Sequence, residues 1–418
     1  MAIHPGYGFL AENAHFAEVC ASCNIKFIGP SVECMNLLGD KVSCKQLAIK
    51  QKVPTSPGSK GAIDSEDEAL KIAKQIKYPV IVKAAAGGGG RGMRVAHNDI
   101  ALRKAFQQAQ QEAQAAFGNP TVYVEKFIEK ARHIEVQIMG DEHGNVVHLW
   151  ERDCTMQRRH QKLIEEAPCP ILTDDERKDL CAAAARLCRA AKYAGAGTVE
   201  FLMDGKSRTF YLMEVNTRVQ VEHPVTEAIT GLDLVALHLR IAEGAGLGLR
   251  QGDLRINGHA IEARICAEDP AEGFRPGAGL ILEFGLIEPV DGETLRWDAG
   301  FETGDRVPSN YDSMIAKLIA YAGNRPAAIE RLTDALSHTQ LAGVPSNTGF
   351  LRRCAMAEDF YHGTHHVNWI AEQGETLSNP QNEHELASIL AVADVQLDDR
   401  GDVSPWGLRD GFRMNGDP

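Results

Sequence analysis

The chain has 418 residues, 44% of them hydrophobic and 24% charged. That is a globular composition, long enough for two or three domains, and it excludes collagen-like, coiled-coil and extensively disordered chains. Its 44 Lys+Arg against 57 Asp+Glu leave a net charge of −13, the wrong sign for a general nucleic-acid binder, so an anion held here needs a local basic cluster.

Residues 2–8 begin without a preceding strand or helix to pack against and read as the tail of a larger domain, giving a first unit over residues 1–53. It holds expected helices at 11–23 and 40–52 and a short strand at 26–28. Cys20 and Cys23 lack a second pair at ligand spacing, and the ten cysteines form no disulfide framework, so a reducing compartment is expected. Pro54, Pro57 and Gly58 mark a linker. Residues 54–127 then give a compact unit with helices at 67–76 and 99–116 and strands at 79–84 and 122–125. The glycine run 87–92 between its first strand and second helix predicts a mobile lid.

Residues 128–372 carry strands at 133–139 and 146–151, a helix opened by the Thr173/Glu176 capping box, and strands at 197–203 and 209–215 around the Asp204-Gly205 turn. A small-residue helix is expected at 326–339. Residues 373–418 are poorly periodic and resemble the start of a further domain. No apolar run of about 18 residues offers a membrane span, and a signal-peptide pattern is missing.

Three segments carry chemistry. Lys83 ends a strand before Gly87, Gly88, Gly89 and Gly90, with Arg91 behind them. Glycines let backbone amides approach a polyphosphate closely while the lysine supplies a point charge, although a glycine run can also be a plain turn. Glu200 on one strand and Glu214 and Asn216 on the next share a face by period-two spacing, an oxygen set that suits Mg²⁺. From Glu214 the alternation continues through Asn216, Arg218, Gln220 and Glu222, predicting a polar strand face that ends at His223-Pro224. A solvated edge strand would alternate in the same way. Its order of metal ligands, cation, amide and carboxylate suits an anionic substrate beside a metal-bound phosphate, with Glu222 as general base. Finally, Arg152 and the cluster Arg158, Arg159, His160 and Lys162 read as an anion site or as a solvated basic run. His160 has no second ligand at metal spacing.

These segments, with His4 to Leu10, Gly39-Asp40-Lys41, Glu125 to Ile128, Arg132 to Gln137, Glu151 to Cys154, Met156 to Lys162, Glu165 to Pro168, Glu214 to Thr226, Gly258 to Asp269 and Tyr311 to Met314, resemble the biotin carboxylase family of the ATP-grasp superfamily over nearly the whole chain. The resemblance implies an α/β (α+β) ATP-grasp fold with a glycine-loop lid, a remnant of a βα N-terminal domain and a biotin carboxylase C-terminal domain. It implies a ligase that carboxylates biotin on a carrier protein with bicarbonate and ATP through carboxyphosphate, using Mg²⁺ or Mn²⁺.

By the same resemblance ATP is held by Lys41, Lys83, Gly89, Gly90, Glu125, Lys126, Phe127, Ile128, His133, Gln157, His160 and Glu200. The metal falls to Glu200, Glu214 and Asn216, and bicarbonate and biotin to Lys162, Arg218, Gln220, Val221, Arg264 and Tyr7. Glu222 is the base for bicarbonate, and Arg264 steadies the biotin enolate; with Lys162 and Arg218 these are the implied catalytic residues. The chain departs from the family in lacking most of the first domain and in carrying Ala86 where the loop often begins with another glycine.

The runs Gly195 to Asp204 and Trp406 to Arg413 are similar to the α-subunits of acyl-CoA carboxylases, the former to the methylcrotonyl-CoA type. The implied partners are a separate biotin carrier domain, a carboxyltransferase β-subunit and, with the first domain restored, a second copy of the chain; nucleic acid and membrane are not expected. The expected location is the cytoplasm of a bacterium or the mitochondrial matrix of a eukaryote. Two other readings remain: a truncated chain that only binds nucleotide or a partner, and another bicarbonate-activating ATP-grasp ligase such as the carbamoyl-phosphate-forming type. The Glu262-Ala263-Arg264 motif and the His4 to Gly8 motif favour biotin.

Overall fold

The computed structural model describes residues 1–8, 10–59, 61–84, 93–286 and 294–378; the glycine run with Gly89 and Gly90, and the tail 379–418, lie outside the described residues. At the N-terminus β1 (Ala2–Ile3) pairs in parallel with β2 (Lys26–Phe27), with α1 (Ala14–Ser22) between them in sequence. The Asn13 side chain caps α1 by accepting the Phe16 N–H at 2.8 Å. A helix that the sequence reading does not anticipate, α2 (Val32–Gly39), follows, too short to show a full apolar period. Asp40 closes it and caps α3 (Lys41–Lys50), accepting the Ser43 N–H at 2.8 Å, so Lys41 sits in the first turn of α3.

The next unit comes close to the expected elements: α4 (Glu66–Ile76), β3 (Val80–Ala84), β4 (Arg94–Ala96), α5 (Asp99–Phe117) and β5 (Val122–Lys126). β3 is the central strand of a three-stranded antiparallel sheet, and Val80, Val82 and Val124 pack under Leu70, Leu102 and Phe106 of the two helices. Each such buried side chain contributes about 1.5–3 kcal/mol.

The body of the molecule is an antiparallel eight-stranded sheet. Its elements in chain order are β6 (Ala131–Gly140), β7 (Val146–Arg158), β8 (Gln161–Ala167), α6 (Asp174–Ala190), β9 (Gly195–Asp204), β10 (Phe210–Asn216), α7 (His223–Thr230), α8 (Leu234–Ala242) and β11 (His259–Cys266). The spatial order is β10-β9-β6-β7-β8-β11, then the strands Met314–Ala322 and Leu295–Ala299. Both faces are covered. Ile134, Val136 and Ile138 of β6 point to an apolar face under Leu180, Ala184 and Leu187 of α6. Ile261, Ala263 and Ile265 of β11 do the same under Leu332 and Leu336 of α9 (Arg325–Ser337). The alternate residues His133, Glu135 and Gln137 are equally buried but point to the other face. There Val225 and Ile229 of α7 pack on Ala167, Ala260 and Ile319, which anchors α7 over the polar side. Helix α6 opens with the expected capping box, Glu176 accepting the Thr173 N–H at 2.9 Å.

Two expectations are corrected. The strand expected at 146–151 runs on to Arg158, turns through Arg159 and His160, and returns as β8. Both loop residues have positive φ, +48° and +67°, as a two-residue hairpin loop matched to the strand twist demands. Arg-His carries none of the Asn-Gly signal for such a turn. The polar strand expected to reach Glu222 ends instead at Asn216, and α7 starts at His223 with Glu222 at its N-cap and Pro224 in the first turn. The partner strand β9 begins at Gly195, with Asn216 already opposite Thr198, so a longer β10 would soon have nothing to pair with. All ten cysteines are free thiols, and no helix among the described residues is long and apolar enough to cross a membrane.

Candidate active site

Cross-strand register assembles the polar face into a charged strip. Glu200 lies opposite Glu214 on one side and Glu135 on the other, and Glu135 lies opposite Arg152. Further along, Glu165 lies opposite Glu262, Arg264 opposite Lys317, and Lys317 opposite Asp298. Directly opposed residues on one face are close enough for their side chains to meet.

Lys162 is the hub. Its Nζ donates to Glu135 Oε2 at 2.5 Å, Glu200 Oε1 at 2.9 Å and Glu222 Oε1 at 2.5 Å. Burial would lower its pKa, but Glu135, Glu200 and Glu222 outweigh that and raise it well above the usual lysine value. Glu222 is fully buried, and its second oxygen accepts from Arg264 Nη2 at 2.8 Å, while Arg264 Nε donates to Glu165 at 2.6 Å. Burial would raise Glu222, yet Lys162 and Arg264 hold it well below the ordinary carboxylate range, so it stays ionised. Because the chain leaves the sheet at Asn216, Glu222 can fold back between these two cations, a geometry that a straight strand could not give.

The anion site expected from the basic cluster does not form as a unit. Arg158 donates to the Gly273 carbonyl at 2.9 Å and lies 3.8 Å from the centre of the Phe274 ring, whereas Lys162 turns into the carboxylates. Arg152 is fully buried and donates to Glu135 at 2.6 Å, Gln137 at 2.6 Å, Thr226 at 3.0 Å and Thr198 at 3.1 Å. It braces the Glu135 carboxylate that in turn holds Lys162. Burial, with Lys83 and His133, keeps the His160 imidazole below its ordinary pKa and so uncharged at neutral pH.

At the other end of the strip, His133 Nε2 lies 3.1 Å from Glu200 Oε2 and Asn216 Nδ2 donates to Glu200 Oε1 at 2.9 Å. Gln157 Nε2 lies 3.3 Å from His133 Nδ1. Burial and the facing Glu200 raise Glu214, a like-charge strain that a divalent cation would relieve. Oxygen donors on neighbouring strands suit a hard cation such as Mg²⁺, and among the described residues ligand atoms of His133, Glu135 and Glu200 already lie within 4.8 Å of one another. Arg218 Nη1 is 3.3 Å from Gln220 Oε1, and Glu12 accepts both the Thr217 N–H at 2.8 Å and Arg218 Nε at 3.0 Å. Lys317 donates to the Val221 carbonyl at 2.8 Å, and its Nζ lies 5.9 Å from the centre of the Tyr7 ring.

On the three-stranded sheet the Glu125 carboxylate accepts from Lys83 at 2.9 Å and Lys45 at 3.1 Å. The Lys126 N–H donates to the Pro57 carbonyl and the Phe127 N–H to the Pro79 carbonyl, tethering the segment that leads past Ile128 to β6. Thus His133, Lys162, Glu200, Asn216, Glu222 and Arg264 share one bonded network, while Lys83 and Glu125 form a second cluster on the smaller sheet. Sequence reasoning assigned no site role to Glu12, Glu135, Glu165, Glu262 or Lys317, although Glu135, Glu165 and Glu262 stand in the motifs that carry the resemblance; the period-two step from His133 was a further signal for Glu135.

A large antiparallel sheet bearing a carboxylate clamped between cations and a facing acidic pair, joined to a smaller sheet that presents a lysine, is the architecture of an ATP-grasp ligase. Residues 40–250 match the family described as "Carbamoyl-phosphate synthase L chain, ATP binding domain", residues 262–372 the "Biotin carboxylase C-terminal domain" and residues 1–35 the "Biotin carboxylase, N-terminal domain". The chain is 50% identical over 374 residues to a biotin carboxylase of Nostoc sp., covering 90% of this chain and 83% of that one. It is 44% identical over 433 residues to the mitochondrial methylcrotonoyl-CoA carboxylase subunit alpha of Oryza sativa, covering 99% of this chain and 58% of that protein. Among solved structures, a biotin carboxylase complex from Campylobacter jejuni superposes with a TM-score of 0.85 at 47% identity, covering 89% of this chain and 82% of that one. The chain belongs to the biotin carboxylase family. Its reaction is the ATP-dependent carboxylation of biotin, a C–N bond-forming ligation that uses ATP, Mg²⁺ and biotin.

Proposed function

We propose that Arg218, Gln220, the Val221 backbone and Lys162 receive bicarbonate, and that Glu222 is the base that deprotonates it. The supporting observation is the buried Glu222 carboxylate clamped between Lys162 and Arg264. While both cations grip it Glu222 is a weak base; bicarbonate drawn to Lys162 loosens that grip and strengthens it. An oxygen of the deprotonated bicarbonate then bonds to the γ-phosphorus of ATP as the bond to ADP breaks, giving carboxyphosphate. Carboxyphosphate splits into CO₂ and phosphate, the phosphate takes the ureido N–H proton of biotin, and the nitrogen attacks CO₂ while Arg264 steadies the enolate oxygen.

Mg²⁺, held by Glu200 and Glu214 beside Asn216, would neutralise charge on the ATP phosphates. Lys41, Lys83, His133, Gln157, His160 and the segment from Glu125 to Ile128 are assigned to ATP together with Gly89 and Gly90, and Tyr7 to the biotin side.

The parent assembly is read as an acyl-CoA carboxylase of the methylcrotonyl-CoA type, with a separate biotin carrier and a carboxyltransferase β-subunit. The likeness of residues 195–204 to that type supports it, as does the match to the rice subunit over 99% of the chain. ADP release by the purified chain with MgATP and bicarbonate should rise when free biotin is added; a folded, ATP-binding chain whose ATP cleavage ignores both bicarbonate and biotin would overturn the assignment. Reconstitution with candidate β-subunits, assayed with methylcrotonyl-CoA against other acyl-CoAs, tests the finer type.

A further inference from the structure

Behind Arg264 lies a feature that the reaction as described does not use. Glu262 is fully buried, and among the described residues neither of its carboxylate oxygens has a hydrogen-bond partner. Directly across the β8–β11 ladder stands Glu165, also fully buried, with Oε1 bound to Arg264 and Oε2 without a partner. Two opposed carboxylates on one face cannot both ionise in a buried site without severe repulsion. We propose that Glu165 and Glu262 share a proton and act as positioning residues for Arg264, so that the ionisation of the pair controls how firmly Arg264 is held against Glu222.

The hydrogen bond from Arg264 and the burial of Glu262 set this division of labour, against the pull of Lys317, which favours an ionised Glu262. Arg264 donates to Glu165, which makes Glu165 the ionised member and leaves the proton on Glu262. Burial, with the facing carboxylate, pushes Glu262 up to about 8, and burial pushes Glu165 up to about 7; as a coupled pair they lose their protons in two steps that belong to the pair. Lys317 from the next strand, Arg264 on the same strand, Glu222 at the start of α7 and Tyr7 from the N-terminal segment face Glu262, while Arg264, Glu222 and Lys162 face Glu165. With one proton on the pair, Arg264 bridges Glu165 and Glu222 evenly, at 2.6 and 2.8 Å. When that proton leaves to water, the added negative charge draws Arg264 toward β8 and β11 and away from Glu222 and the biotin side.

This rests on Arg264 acting at the carboxyl-transfer step, and the test separates the two readings. The whole chain and its Glu262→Gln variant are titrated by infrared difference spectroscopy, and the pH profile of biotin-dependent kcat is measured for each. In the parent, a protonated-carboxyl C=O band should vanish as pH rises through the titration of the pair, and kcat should fall in parallel; in Glu262→Gln the band should be absent and the falling limb of kcat lost. A band unchanged in the variant, or a variant whose falling limb coincides with the parent's, overturns the proposal. Should Glu262→Gln fail to fold, Glu165→Gln removes the opposing charge, and the band of Glu262 should then vanish at lower pH; an unmoved band again overturns it. The infrared result needs no turnover, so an inactive chain would count against the assigned reaction without deciding the proton pair.

Discussion

Replacing Glu222 with Gln keeps the side chain's shape and removes its charge and its ability to accept a proton. Lys162 keeps Glu135 and Glu200 as partners and Arg264 keeps Glu165, so neither cation is stranded. The folding cost is therefore that of one weakened hydrogen bond to each charged group, about 1–3 kcal/mol. The chemical cost is larger, because a positioned general base is worth roughly 10²–10⁴-fold in rate, or about 3–5 kcal/mol of barrier. Glu222 sits at the N-cap of α7 over the polar face of the large sheet, while Lys83 and Glu125 are bonded to each other on the small one, so ATP affinity should change by less than about threefold. The assay is bicarbonate-dependent ADP release with MgATP, alongside ATP binding and a thermal melt. A folded Glu222→Gln protein that turns over within about threefold of the parent would refute the role of the carboxylate as base.

Four further outcomes are expected. Arg152→Met takes the donor from Glu135 Oε1 and Gln137 Oε1, with Lys162 still holding Glu135 Oε2, and should cost about 1–3 kcal/mol of stability, read as a lower urea midpoint. Glu12→Gln weakens its half-exposed pair with Arg218 and should raise KM for bicarbonate about two- to fivefold with ATP binding unchanged. EDTA should abolish turnover reversibly, and Glu214→Gln should raise the Mg²⁺ concentration for half-maximal activity by about tenfold or more. Although burial would raise Glu166, His259 and Arg325 hold it below the usual value. Its contribution is thus present above about pH 4.3 and lost as pH falls through its folded pKa. Glu166→Gln should accordingly narrow the stability gap to the parent as the solution is acidified, measured by urea unfolding across that range.

Local signals in the sequence carried over well into the structure. The Thr173/Glu176 box opens α6, and the Asp204-Gly205 turn closes the β9–β10 hairpin that sets Glu200 opposite Glu214. Those features need only neighbouring residues to form. What the sequence hid depends on distant partners. The break after Asn216 follows from where β9 begins, so the alternation through Glu222 reads as strand although its second half turns back over the sheet. The Arg159-His160 turn takes positive φ without glycine or asparagine, and so β8, with Glu165 at its centre, is overlooked. Arg152 reads as a surface cation until β6, β9 and α7 supply four acceptors around it. The opposition of Glu165 and Glu262 exists only in the register of strands far apart in the chain.

The most direct test of the account is the fate of carbon from ¹³C-labelled bicarbonate, followed by mass spectrometry of biotin incubated with the purified chain and MgATP. Label should appear on biotin at a rate matched by ADP release, with both lost in Glu222→Gln. Sustained ATP cleavage by the folded chain that leaves biotin unlabelled would contradict it.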